Sequence, residues 1–338
     1  MKYPERIEIG DTTLRDGLQH EEHYIALEDR AYLLELLIRS GIRRLEVASL
    51  SHPVYLPQFR DVDRFLTDYL PNVPGVEDTE ITVLALNAKA VQRLLKLLDA
   101  GVKVDRVLTG QIATSEAYAR KNLNRSREEL LAEAGENARL LHNAGIKRVC
   151  ASVGTIFGCP IQGQVPLETA YEYTGRLLDM GLDEIEHADP SGTATPDRIQ
   201  EYFSNVMARW PDPNLHLFHI HDIRGAGLLG YFVAMAEGIT HFECTLGGIG
   251  GQPANRLDGV PIKGTGSYYF HSGRTGLVST EDFVSLMEDT GIKTGIDPSA
   301  LLFAGLEAER ILGRKLDSSV VASARGQGDP SVSAAACC

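Results

Sequence analysis

The sequence is short of cysteine. Five occur in 338 residues, at positions 150, 159, 244, 337 and 338. None forms a CxxC pair or a Cys/His cluster, which argues against structural zinc and against a disulfide framework. Positive charge is also scarce. Lys and Arg number 33 against 46 Asp and Glu, a formal net charge of −13. Such a chain repels nucleic acid and anionic membrane, so neither is an expected partner. No apolar run approaches the roughly 18 residues needed to span a bilayer. The N-terminal residues enter a strand-like run almost at once, with neither an apolar signal core nor an Arg/Ser-rich transit segment, and a cytoplasmic location is expected. A GxGxxG after the first strand is missing as well, which weakens a dinucleotide-binding sheet.

What is present is a regular alternation. Short β-branched runs (RIEIGDT, RRLEVAS, ITVLAL, RVLTGQI, RVCASV, EIEHAD, LHLFHIHD, HFECTLG) alternate with longer helical patterns. Several helical stretches end in Gly just before the next strand, a helix-stop signal. Eight such units, the last closing with TEDFVSLMEDTG, call for a parallel sheet covered by helices. The expected fold is α/β, a (β/α)8 barrel, with PSALLFAGLEAERILG as an extra C-terminal helix. Residues 1–321 read as one catalytic domain and 322–338, small and polar, as a disordered tail. An apparent insertion at 256–275 has the Gly, Tyr and Lys content of an active-site lid.

In such a barrel, catalytic groups sit where strands end and βα loops begin. Asp11, Arg15 and Asp16 follow strand one, Glu46 and Ser49 end strand two, and Glu186, His187 and Asp189 end strand six. His219, His221 and Asp222 end strand seven, and Glu243 lies on strand eight. On a strand, residues i and i+2 face one side about 7 Å apart, so His219 and His221 can share an ion. Strand eight adjoins strand one in a closed barrel, which brings Asp16 near. Two imidazoles and a carboxylate suit Mg²⁺, Mn²⁺, Zn²⁺ or Fe²⁺ with positions left for substrate. The bland alternatives are two satisfied histidines, a helix-capping Asp16, and Glu46 with Asp189 in a buried ion-pair network. Their joint occurrence at the right strand ends favours the metal.

These motifs resemble 3-hydroxy-3-methylglutaryl-CoA lyase and the wider family of metal-dependent lyases and Claisen synthases that includes isopropylmalate synthase. GDTTLRDGLQHEE, LEVASLSHPVYLPQF, ATSEAYARKNLNRS, FGCPIQGQV, HADPSGTATP, HIHDIRGAGLLG and GGIGGQPA carry the resemblance over nearly the whole chain. It implies the same barrel and a divalent metal, Mg²⁺ or Mn²⁺ favoured and Zn²⁺ possible, on Asp16, His219 and His221. Arg15 would polarise the carbonyl whose enolate forms, and Glu46 and Asp189 would orient substrate or ligands. His219 is also a candidate base. Gln19, Ser49, Glu243 and Gln252 are the expected substrate contacts.

The chain departs from that pattern at several points. Gln252 stands where the lyases have a catalytic Cys, Glu22 where a Lys is expected, and Leu277 where they have a metal-ligating Asn. The spacing of GIGGQPAN offers Asn255 to the metal instead. The expected reaction is retro-Claisen or retro-aldol cleavage of a 3-hydroxyacyl-CoA or related hydroxy acid. Tyr268 or His271 are candidates for the missing acid. The alternatives are a synthase condensing an acyl-CoA with a 2-oxo acid, and a non-catalytic degenerate barrel. The expected partner is a small molecule, with a CoA thioester and a homodimer as further expectations.

Overall fold

The computed structural model describes residues 3–327 apart from 20, 22, 54–55, 160, 252–255, 258–259 and 262–274. Eight parallel strands close into one barrel: β1 (Glu8–Asp11), β2 (Arg44–Ser49), β3 (Glu80–Leu84), β4 (Arg106–Ala113), β5 (Arg148–Gly154), β6 (Glu184–Asp189), β7 (His216–Ile220) and β8 (His241–Cys244). Closure comes from β1 pairing with β8, Gly10 opposite Glu243 and Asp11 opposite Cys244.

Six helices follow strands β1 and β3 to β7 in turn: α1 (Leu27–Arg39), α2 (Ala88–Asp99), α3 (Arg127–Asn143), α4 (Leu167–Asp179), α5 (Pro196–Arg209) and α6 (Gly227–Ala236). Local chemistry sets several of their starts. Asn87 accepts from the Ala90 amide. Ser126 and Glu129 form a reciprocal capping box at α3, which satisfies two otherwise orphaned donors. α7 (Thr280–Thr290) completes the ring behind a Ser279 cap.

Burial divides by strand parity. On β7, Phe218 points outward, its ring 4.8 Å from that of Phe203 and 5.4 Å from that of Tyr231. On β8, Phe242 meets Tyr231 and Phe283 at 4.8 and 5.6 Å. Truncating one such ring to Ala costs about 3–5 kcal/mol. The alternate residues face the barrel axis and are largely charged, so the apolar core lies between sheet and helices.

Two helices follow the ring, where one was expected. α8 (Pro298–Leu312) packs against α1 and α7, and α9 (Ser319–Gln327) continues beyond it. The tail expected to lose structure from residue 322 is therefore helical to Gln327. Val321 is buried, and the backbone amides of Ser319 and Val320 donate to the Asp282 carboxylate. Residues 328–338 lie outside the described residues. So does most of the expected lid, where Arg256–Leu257 pairs antiparallel with Val260–Pro261.

Candidate metal centre

The residues after β1 form one wide helical turn, Thr13–Gly17, held by Thr12, whose side chain accepts from the Asp16 amide. This turn aims Arg15 and Asp16 into the mouth of the barrel. Across the closure, His219 and His221 project from β7 and the residue just after it. One ligand atom from each of Asp16, His219 and His221 lies within 4.8 Å of the others, and all three residues are buried.

Both imidazoles are fixed from behind. His219 Nδ1 donates to Glu243 Oε2 at 2.9 Å, and His221 Nδ1 donates to the Thr275 carbonyl at 2.7 Å. Their Nε2 atoms then face each other at 3.2 Å. Two imidazoles whose Nδ1 atoms carry the protons present two Nε2 lone pairs. Those lone pairs repel unless a proton or a metal cation lies between them.

The surrounding charges act on the two imidazoles in opposite directions. Burial opposes a charge on His219, but Glu186 and Glu243 outweigh it and raise the imidazole to about 9. Burial pushes His221 down to about 4. Burial also opposes ionisation of Asp16, yet Arg15 and the two imidazoles hold its carboxyl below the usual range. The donor set therefore fits a divalent cation. It has two oriented imidazoles, an ionised carboxylate, and outer partners that fix each ring.

Asp16 is clamped as tightly. Arg15 Nη1 contacts Asp16 Oδ2 at 2.5 Å, Gln19 Nε2 donates to the same oxygen at 2.9 Å, and the Gly251 amide donates to Oδ1 at 3.0 Å. Gln19 also donates to the Gly251 carbonyl. The approach requires glycine. Gly250 has φ +118°, and a Cβ there would stand 2.7 Å from Asp16 Oδ1. Arg15 Nη2 reaches Glu46 Oε2 at 2.6 Å, where Thr12 Oγ1 also donates.

The remaining expected residues separate. Glu243, expected at the substrate, accepts a hydrogen bond from His219 through Oε2. Ser49 donates to Ser51 Oγ. Leu277 is buried and bridges the His221 backbone, so that position offers no ligand atom. Glu22, Gln252, Asn255, Tyr268 and His271 lie outside the described residues.

Asp189 is not brought to the cluster. Its Oδ1 accepts from Ser191 Oγ at 2.9 Å and its Oδ2 from the Ala194 amide at 2.7 Å, which ties together the turn between β6 and α5. His187, on the same outward face, bonds to Tyr202 and His216. Parity explains this, because Ile185, His187 and Asp189 face the helices while Glu184, Glu186 and Ala188 face the axis. The acid that β6 gives to the site is Glu186. One of its oxygens lies within 4.8 Å of ligand atoms of His219 and Glu243. Burial raises its pKa against the pull of His219, and Glu243 adds to the rise.

A family model described as HMGL-like matches residues 6–305. The chain is 29% identical over 318 residues to the hydroxymethylglutaryl-CoA lyase of Bacillus subtilis, an alignment covering 94% of this chain and 97% of that protein. It is 30% identical over 322 residues to the (R)-citramalyl-CoA lyase of Chloroflexus aurantiacus, covering 94% of each. The crystal structure of the B. subtilis HMG-CoA lyase superposes with a TM-score of 0.83 at 28% identity, over 96% of this chain and 100% of that one. The barrel, the motifs and these matches agree, and the chain belongs to the HMGL-like family of carbon–carbon lyases.

Proposed function

We propose that this protein is a divalent-metal-dependent lyase that cleaves the C2–C3 bond of a 3-hydroxyacyl-CoA thioester. The observation that carries the reading is the pair of Nε2 atoms 3.2 Å apart beside Asp16, with both rings locked at Nδ1. The two curated relatives are named as lyases of CoA thioesters, which supports the substrate class.

Asp16, His219 and His221 would hold the cation, Mg²⁺ or Mn²⁺ being favoured and Zn²⁺ possible, with Asn255 as a further candidate ligand. When bound, the cation withdraws charge from the substrate oxygens and lowers the pKa of the 3-hydroxyl. The chain's own groups do the rest. Glu46 Oε1 is buried with no hydrogen-bond partner and is the assigned acceptor of the hydroxyl proton. The C2–C3 electron pair moves to C2, and C3 leaves as a ketone. Arg15 Nε, also buried and without a partner, supplies a donor to the thioester enolate. A proton then ends on C2, from an acid sought in residues 252–274, where Tyr268 and His271 stand. Gln19 and Gly251 hold Asp16 in register, and Gln252 and Ser49 are assigned to substrate contact. Asp189 acts at one remove, by setting the turn after β6.

Gln252 has no proton to give as a thiol would, so turnover of 3-hydroxy-3-methylglutaryl-CoA itself is expected to be slow. The reading also carries a cytoplasmic location and a homodimer. Among the described residues no helix is long and apolar enough to cross a membrane. The test is acetyl-CoA release from a panel of 3-hydroxyacyl-CoA thioesters with Mg²⁺ or Mn²⁺. Release that stops on chelation is expected. Release indifferent to chelation, or none from any thioester, overturns the proposal.

A further inference from the structure

The stretch between Gln19 and α1 has little of its own to hold it. Gln19 is part of the clamp on Asp16, yet the described residues from Glu21 to Ala26 belong to no helix or strand. Ala26 opens α1 without a side-chain cap. The bonds come from another loop. Gln58 sits in the single turn Pro57–Phe59, between β2 and β3, and is 5% exposed. Its Nε2 donates to the carbonyls of Glu21, at 2.9 Å, and of His23. Its Oε1 accepts from the Ile25 amide at 3.2 Å and from Arg30 Nη2 at 2.9 Å. The orientation of this amide is forced, because the two carbonyls can only accept and the backbone N–H can only donate.

Arg30, buried on α1, closes the joint from the other side. Its Nε donates to the Ile25 carbonyl at 3.1 Å and its Nη2 also to the Gln58 carbonyl, with the Tyr24 and Phe59 rings 5.3 and 5.5 Å away. A buried guanidinium ordinarily meets an acid; this one meets the backbone of the two loops. The joint reaches Asp16 in two steps. The Glu21 amide donates to the Leu18 carbonyl at 3.1 Å, which closes the turn that carries Gln19. Gln19 Nε2 then spans Asp16 Oδ2 and the Gly251 carbonyl, at 2.9 and 3.0 Å.

We infer that Gln58 is a positioning residue for the metal centre: by pinning the carbonyls of Glu21 and His23 it holds Gln19 against Asp16, so that the carboxylate meets the cation already oriented. The inference rests on the metal reading above. It adds a residue of a second loop that bonds to none of the three proposed ligands and acts on them through Gln19. Outer groups that orient a ligand are worth about 10- to 100-fold in metal affinity.

Mn²⁺ binding to the full-length apoprotein, read from the EPR signal of the free ion with no substrate present, tests it. Gln58→Glu keeps the size of the side chain and the acceptor for Ile25, gains an ion pair with Arg30, and removes both donors. Gln58→Leu removes all four bonds. Each is expected to weaken Mn²⁺ binding by at least about fivefold, and Gln19→Ala by about 10- to 100-fold. Because Gln58 acts through Gln19, adding Gln58→Glu to Gln19→Ala should cost no more than about twofold further. Two independent losses, as from a general loosening of the fold, would multiply instead. Unchanged affinity in a folded Gln58 variant, unchanged affinity in Gln19→Ala, or multiplied losses in the double variant overturns the inference alone. So does failure of both Gln58 variants to fold, which would make Gln58 a residue of the core and nothing more. A wild-type protein that takes up no Mn²⁺ overturns the metal reading along with it.

Discussion

The axis of this barrel carries two layers of charge, and they are built differently. In the lower layer, toward the strand N-termini, Glu184 is fully buried and bonded to Arg44, Arg106 and Arg148. Glu80 and Glu8 also face Arg44. Three guanidiniums meet three carboxylates. Burial opposes ionisation of Glu184, and the arginines outweigh it and hold the group far below the ordinary carboxylate range. In the upper layer, four carboxylates surround Arg15 and two imidazoles. Glu46 and Glu186 are raised by burial, and each keeps an oxygen without a partner. A protein satisfies its buried charges when stability is the sole demand. The lower layer balances its charges within the chain, although one terminal nitrogen each of Arg44 and Arg106 is buried without a hydrogen bond. The upper layer leaves carboxylate oxygens unpartnered, and the cation and substrate proposed above would supply what they lack.

Substitutions in each layer can break this contrast. The largest effect is expected from His219→Ala or His221→Ala. Each should abolish stoichiometric metal and lower kcat by at least about a thousandfold, because the cation's several kcal/mol of charge stabilisation is lost with it. Metal analysis and steady-state kinetics on the folded variants decide it, and full metal occupancy in both would erase the distinction between the layers.

Next comes Glu184→Gln. Removing the shared carboxylate leaves Arg44 to Glu8 and Glu80 and leaves buried Arg106 with Glu243 alone at 3.5 Å, and denaturant unfolding should show a loss of about 3–5 kcal/mol. Metal bound per folded molecule should not change. If metal were lost as well, the two layers would be one network.

A buried carboxylate outside both layers calibrates them. Glu281 accepts from the Gly247 amide and from Ser279 Oγ, and burial raises it to about 7. A folded-state pKa above the unfolded one means that the folded protein holds the extra proton. Its stabilisation is complete below about pH 4.5 and is lost as pH rises through about 7. Glu281→Gln removes that dependence. The stability of the wild type relative to this variant should fall by about 3 kcal/mol between pH 4.5 and 7.5. Equal pH profiles for the two proteins would contradict it.

The smallest effect is expected at Asp189. Asn there weakens the acceptors that hold Ser191 and the Ala194 amide, at a cost of about 1–2 kcal/mol, while metal content stays. Loss of metal from Asp189→Asn would move this residue into the upper layer.

Much of this was legible in the sequence. The alternation of elements led to the barrel, and the i, i+2 spacing of His219 and His221 with Asp16 after β1 led to the three residues the fold gathers. Asp189 and Glu186 show where reading stopped. Both end the same strand, but they are three apart and so lie on opposite faces. The run Ile185, His187, Asp189 could have been assigned to the helix side by its apolar and aromatic partners. The lower layer escaped notice because Arg44, Arg106 and Glu184 sit at strand beginnings, where nothing local distinguishes a buried ion pair from a solvated one. The orienting bonds from Glu243 on β8 and from the loop residue Thr275 depend on how those segments lie beside β7 in space, which no spacing encodes. The helical stretch to Gln327 was missed because small residues give weak periodicity, and its docking depends on Asp282.

The contact between Asp16 and the Gly251 amide joins residues 235 apart in the chain. At ribosomal rates of roughly 5–20 residues per second, Asp16, the first of the proposed ligands, waits about ten to fifty seconds for the loop that clamps it. His219 and His221 are also late arrivals, and no nascent fragment ending before β7 contains more than one of the three ligands. The partial sheet cannot capture a metal ion in this geometry while it is being made. If the proposed ligand set holds, metal loading reports completed synthesis: a chain truncated anywhere before β7 has Asp16 without either imidazole and cannot assemble the group.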